Sequence, residues 1–154
     1  MAQHNQRNEA KKAKKIAMEE EAYAKREKAK AAKKELEEWI KEYDGGVKNH
    51  GEPNTWDVKL VTDMSYLFEG MKTFNAPIDQ WNTSEVTNMC CMFCGASSFN
   101  QPITMDTSQV TDMRYMFRGA SSFNQPITMD TSQVTNMDYM FQRADAMTHP
   151  KPSL

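Results

Sequence analysis

Two patterns of apolar and polar positions divide the chain. From Glu9 to Tyr43 the residues are almost all Ala, Lys, Glu and Arg, with Ile16, Met18 and Tyr23 the only larger apolar side chains before Leu36. Leu36, Trp39, Ile40 and Tyr43 then recur at i, i+3, i+4 and i+7, one face of a helix. These residues are strong helix formers, and no Pro or Gly interrupts them. Opposite charges stand four apart at Lys15/Glu19, Glu21/Lys25, Lys33/Glu37, Lys34/Glu38 and Glu37/Lys41, which supports an exposed helix. The pattern predicts one helix of roughly 35 residues, about 50 Å long, stopped by Gly45-Gly46. Leu36, Trp39, Ile40 and Tyr43 are expected to dock it, and the earlier turns to project.

From residue 53 the pattern changes to repetition. VTDM at 61–64, VTNM at 86–89, VTDM at 110–113 and VTNM at 134–137 follow one another at intervals of 25, 24 and 24 residues. FNAPI at 74–78 and FNQPI at 99–103 and 123–127 keep the same rhythm, and FNQPITMDTSQVT is written twice without change. The repeats run over about 53–73, 74–98, 99–122 and 123–146. A fixed period of this size marks stacked units that bury their apolar faces only against one another. Val110, Met113, Met116, Phe117 and Ala120 fit a helical face, while Ile103 and Met105 alternate with Thr104 as in a strand. The fold expected is therefore an α/β repeat: a short solenoid of about four strand–helix coils, preceded by the long charged helix. Asp106-Thr107-Ser108 and Asp130-Thr131-Ser132 are expected to cap the repeat helices. Asn75, Asn100 and Asn124 are expected to form a ladder between coils. The organisation is a helical arm over 1–46, repeats over 53–146 and a tail over 147–154.

Charge adds an asymmetry. Residues 1–43 carry 12 Lys/Arg against 9 Glu, and residues 44–154 carry 7 Lys/Arg against 12 Asp/Glu. The basic excess lies on the helix, so residues 7–34 are a possible contact for nucleic acid. No apolar run is long enough to span a membrane, no secretory leader is readable, and the three cysteines are bunched at 90, 91 and 94. An intracellular setting is expected.

The motif W/M-x-T-S-x-V-T-x-M-x-x-M-F-x-x-A-x-x-F-N-x-P-I, as in WNTSEVTNMCCMFCGASSFNQPI, resembles the BspA-type leucine-rich repeat, also known as DUF285 or the Mycoplasma-type surface-protein repeat. The resemblance covers about 53–146 and departs from the pattern at Met105 and Met129, which replace Trp. It implies a right-handed solenoid, a role in adhesion or protein binding, and no catalytic residues; members are often found at cell surfaces.

Candidate chemistry is sparse. Cys90 and Cys94 would lie one helical turn apart, but zinc ordinarily takes four Cys or His ligands, and His4, His50 and His149 are unpaired in sequence. Substitution at variable repeat positions is the plainer reading. The column Asp57, Asn82, Asp106, Asp130 reads as caps rather than a cation site. No nucleophile–base pair or glycine-rich phosphate loop is present, so no enzyme, cofactor or metal is expected. A protein-interaction or scaffold module is the leading function, with a protein partner or a larger assembly reached through the helix. A ribosome- or nucleic-acid-associated accessory protein, docked through the basic helix, is the alternative. Outward positions expected to meet a partner are Gln101, Thr104, Gln125 and Thr128, with Asp79 and Ala76 in the earlier coil. Arg114 and Arg118, one turn apart on the predicted helix, are suited to an acidic partner.

Overall fold

The computed structural model describes residues 2–153; Met1 and Leu154, the ends of the predicted arm and tail, and the side chains of residues 2–5, including His4, lie outside the described residues. Helix α1 spans Ala2–Asp44. It is longer than predicted at its N-terminal end, and it stops where the glycines dictate. Val47 N–H reaches back to the Glu42 carbonyl at 2.8 Å and Gly46 N–H to that of Tyr43 at 3.0 Å. With Gly46 at φ 84° this is a Schellman ending, which places a glycine in the left-handed region.

Beyond a 3-10 turn at Pro53–Thr55, the repeats correct the strand–helix expectation. Among the described residues they contain neither a repeat helix nor a sheet, only isolated parallel bridges Asp63–Asn88, Asn88–Asp112 and Asp112–Asn136. Those bridges lie inside the segments predicted to be helical. The reason is visible in repeat 3. Val110, Met116, Ala120 and Phe123 donate to residues three back (Thr107, Met113, Phe117 and Ala120), each closing a separate turn. The alternate donors leave the repeat altogether: Met113, Tyr115, Phe117 and Gly119 bond the carbonyls of Asn136, Asp138, Met140 and Gln142 in repeat 4 at 2.8–3.0 Å. A helix would keep all these N–H groups internal. Here half close turns and half tie neighbouring repeats together.

The turns require positive φ at fixed places. One column is Tyr66, Cys91, Tyr115 and Tyr139 at φ 56–63°. A second is Gly70, Gly95 and Gly119 at φ 70–71°, completed in the last repeat by Arg143 at 60°. A non-glycine residue there carries backbone strain of about 1–2 kcal/mol, partly offset by its lower entropy when unfolded. Arg143 is exposed. Arg143→Gly is therefore expected to stabilise the protein by about 0.5–1 kcal/mol, read as a higher denaturation midpoint; a lower midpoint would refute the argument.

The predicted strand segments do alternate in burial, with Ile103 and Met105 inside and Thr104 outside. They make no backbone ladder, because Pro102 lacks an N–H and the links are side chains: Thr104 Oγ1 to the Asp79 carbonyl at 3.2 Å, Thr107 Oγ1 to that of Asp130 at 2.9 Å. The asparagine ladder is present. Asn75, Asn100 and Asn124 Oδ1 accept the N–H groups of Asn100, Asn124 and Thr148 at 2.8–2.9 Å.

The core is one continuous cluster running through all four repeats into α1. Its spine is a file of parallel rings, Phe68, Phe93, Phe117 and Phe141, with successive centroids 5.1, 5.4 and 5.5 Å apart. A second file, Phe74, Phe99 and Phe123, runs beside it at 6.1 Å spacing.

The predicted cap residues are corrected in role. Asp57, Asn82, Asp106 and Asp130 each accept the N–H two residues on, closing an Asx turn with no helix to follow. The backbone N–H groups of Ser108 and Ser132 hold Asp106 and Asp130 below the usual carboxylate range. A folded pKa below the unfolded one gives stability that is complete above the unfolded value, about 4, and lost as pH falls through the folded value. The thermal midpoint should therefore fall on acidification below about pH 4. Asp106→Asn with Asp130→Asn keeps the acceptor, as Asn82 does naturally, and should fall less steeply; an unchanged slope would show that these turns do not carry the effect.

Candidate interaction surfaces

Helix α1 has two parts. Residues 6–28 are exposed, apart from the contacts Lys25 makes, and from Ala29 onward one face is covered. Lys25 pairs with Glu85 at 2.9 Å, Ala29 is buried, and Lys33 donates to Ser65 Oγ at 3.0 Å with Asp63 at 3.4 Å. Leu36 and Ile40 are buried, Trp39 and Tyr43 partly so. Trp39 stacks on His50 at 4.6 Å, and Tyr43 meets Trp56 and Phe74 edge-on while its hydroxyl donates to Glu52 at 2.9 Å. Leu36, Trp39, Ile40 and Tyr43 all lie in or against the core cluster, and the contact begins several turns earlier than their spacing showed. The predicted partners of Lys25 and Lys33 within the helix, Glu21 and Glu37, give way to acids on the repeats. The sequence signal for this was small: Ala29 and Ala32 lie seven and four residues before Leu36, on its face.

A shallow cavity of about 240 Å³ opens beside this contact, lined by Lys25, Lys28, Ala29, Lys59, Leu60 and Glu85. Sequence reasoning did not reach it, because its two walls are at least 30 residues apart in the chain, the nearest pair being Ala29 and Lys59.

The bare part of α1 carries Ile16, Met18 and Tyr23 at 45, 62 and 66 % exposure. At 1.5 Å per residue it reaches about 30 Å past the repeats. Packing does not hold it; ion pairs such as Lys15–Glu19 at 3.8 Å support it locally.

The outward positions fare unevenly. Thr104 and Thr128 are exposed, whereas Ala76 is buried. Gln101 and Gln125 are half-buried, and each gives its amide to the preceding asparagine, Asn75 or Asn100, at 3.0–3.2 Å. They brace the ladder. Asp79 accepts from Asn54 at 2.9 Å. Arg114 and Arg118 are exposed, on successive turns rather than on a helix. Arg114 forks onto Asp112, with Nη2 2.6 Å from Oδ2. Arg118 Nε donates to Gln142 at 2.9 Å, and its guanidinium lies 5.6 Å from the Tyr115 ring centroid.

Cys90 and Cys91 are buried with their sulfurs 3.6 Å apart, and Cys94 is half-buried. Burial pushes the Cys91 thiol up to about 12. Burial, with Glu69 beside it, also raises Cys94. Both thiols are thereby held toward the neutral form, which disfavours attack as a nucleophile at neutral pH. Among the described residues no three His, Cys, Asp or Glu side chains converge as a metal site, and no helix is long and apolar enough to cross a membrane.

No curated protein and no solved structure matches the chain. The family model described as Mycoplasma protein of unknown function, DUF285, matches residues 34–153. It takes in the four repeats and the last turns of α1, with Leu36, Trp39, Ile40 and Tyr43, and leaves outside both the bare part and the earlier contacts of Lys25, Ala29 and Lys33. On that match, the chain belongs to the DUF285 family.

Proposed function

We propose that this protein is a non-catalytic protein-interaction module, in which the repeats are the rigid base and the N-terminal part of α1 is the arm that engages a protein partner or a larger assembly. The observation that supports it is the division of one continuous helix. Its C-terminal half is fixed to the repeats by buried Leu36 and Ile40, while its N-terminal half presents Ile16, Met18 and Tyr23 to solvent. Ile16 and Tyr23, seven residues apart, share one face of the arm, and a helix that lays such anchors into a partner's groove or against a partner's helix is a common recognition mode. The outward residues of the repeats are weaker candidates. A partner carboxylate at Arg114 or Arg118 would have to displace Asp112 or Gln142, which already hold them.

The full chain and a chain lacking residues 1–24 would be compared for capture of partners across rising salt, with circular dichroism confirming that the repeats stay folded. The deletion spares Lys25, Ala29 and Lys33, which touch the repeats. Capture lost on deletion and nearly constant with salt is the expected result. Capture that survives deletion would overturn the proposal. Loss of binding that follows a steep logarithmic salt slope would instead favour nucleic acid held by the basic residues within 7–34.

A further inference from the structure

The two ends of the repeat stack differ in chemistry. Inside it, alternate N–H groups of each repeat reach carbonyls of the next, as in Met64 to Asn88, Met89 to Asp112 and Met113 to Asn136 at 2.8–2.9 Å. Repeat 4 carries the corresponding donors on Met137, Tyr139, Phe141 and Arg143, and none of the four meets an acceptor among the described residues. Met137 and Phe141 are only partly buried, and Tyr139 is 58 % exposed. The tail covers the neighbouring stretch, where Thr148 N–H bonds Asn124 Oδ1 at 2.9 Å and Thr131 Oγ1 bonds the Ser153 carbonyl at 3.3 Å. It reaches the face only at its edge: Lys151 Nζ lies 5.8 Å from the Phe141 ring centroid, and Lys151 and Pro152 form one wall of a groove whose floor is Met137, Tyr139 and Phe141. At the opposite end, repeat 1 lies under α1, with Ser65 and Leu67 buried.

What fits such a face is shown one repeat earlier. Met113, Tyr115 and Phe117 of repeat 3 present the same three side chains in the same order as Met137, Tyr139 and Phe141. Their occupant is the segment 134–143, which supplies the carbonyls of Asn136, Asp138, Met140 and Gln142. It also stacks Tyr139 on Tyr115 at 5.4 Å and Phe141 on Phe117 at 5.5 Å. We propose that the open face of repeat 4 docks an extended segment of a second, different polypeptide, one offering a carbonyl at every other residue and side chains in the order V-T-N/D-M-x-Y-M-F. Two copies of this chain set face to face would bring donors against donors and leave both rows unpaired, a large penalty once water is excluded. The acceptor edge of another copy lies beneath its own α1. Addition of an extended segment to an open backbone edge satisfies both the polar row and the apolar side chains.

The test uses the full chain and a synthetic peptide with the sequence of residues 132–145, against a scrambled control. In the free chain the amides of Met137, Tyr139, Phe141 and Arg143 should exchange rapidly, and those of Met113, Tyr115, Phe117 and Gly119 slowly. Saturating peptide should slow the first four by at least about tenfold, and the scrambled peptide should not. Phe141→Asp should weaken peptide binding by at least about tenfold while the repeat 3 amides stay protected, which separates loss of the face from loss of the fold. The proposal fails if the four amides exchange unchanged under saturating peptide, or if the scrambled peptide protects them equally. It also fails if the chain alone self-associates with those amides protected, since the occupant would then be a second copy.

Discussion

Phe93→Ala should destabilise the protein by about 3–5 kcal/mol, the range for removing a fully buried aromatic ring. Phe93 is completely buried and lies between Phe68 and Phe117, parallel to both within 4°. A third ring, Phe99, stands 4.1 Å away. Truncation opens a void in the middle of the file, where neighbours on both sides are held by backbone bonds between repeats and cannot close in. The end of the file supplies the control. Phe141 has one ring neighbour in the file and is only partly buried. Its truncation should cost less, about 1.5–3 kcal/mol from lost apolar burial. Chemical denaturation followed by circular dichroism would measure both. Equal losses would mean that the repeats do not share load along the file as neighbours in a linear array should.

The same residues show what was legible in the sequence. The register of the repeats was, since each column of valine, methionine, phenylalanine and asparagine forms a real column in space. The conformation within a repeat was not. Val110, Met113 and Met116 stand three apart, and so do Phe117, Ala120 and Phe123. That is a period of three with one step of one, and over ten residues it mimics the spacing of a helical face. The separate turns it encodes need a left-handed residue at Tyr66, Cys91, Tyr115 and Tyr139. Tyrosine gives no sign of that, because its intrinsic preference is for the opposite hand. Gly70, Gly95 and Gly119 did carry the signal, as glycines at a fixed place inside a supposed helix argue against one. The spacing of Cys90 and Cys94 likewise puts two thiols on one turn of a predicted helix, and among the described residues there is no repeat helix to hold them so. The reach of the helix contact back to Lys25 was hidden because it uses alanine and lysine, residues that mark no apolar face.

Ile40→Ala should be the most damaging change in the helix contact, at about 2–5 kcal/mol, and should exceed Trp39→Ala. Side-chain size alone ranks them the other way. Ile40 is fully buried and points into the cluster that α1 shares with repeat 1, so its loss leaves a cavity against groups that cannot move. Trp39 is only partly buried; it lies across His50 at 4.6 Å and touches Trp56 edge-on at 5.9 Å. Such aromatic pairs contribute about 0.5–1.5 kcal/mol beyond their burial, and water can fill part of the space a missing indole leaves. The helix covers the leading end of the stack, where no earlier repeat shields Val61, Met64 and Leu67. A weakened Ile40 should therefore lower the stability of repeat 1 along with that of the docked turns, and the bare arm, which has no packing to lose, should melt with them. Helical signal and tryptophan fluorescence followed through the same denaturation would show one shared transition at a lower midpoint. If Trp39→Ala proved the more costly of the two, the contact would be centred on the His50 side of the helix rather than on the buried stripe of Leu36 and Ile40.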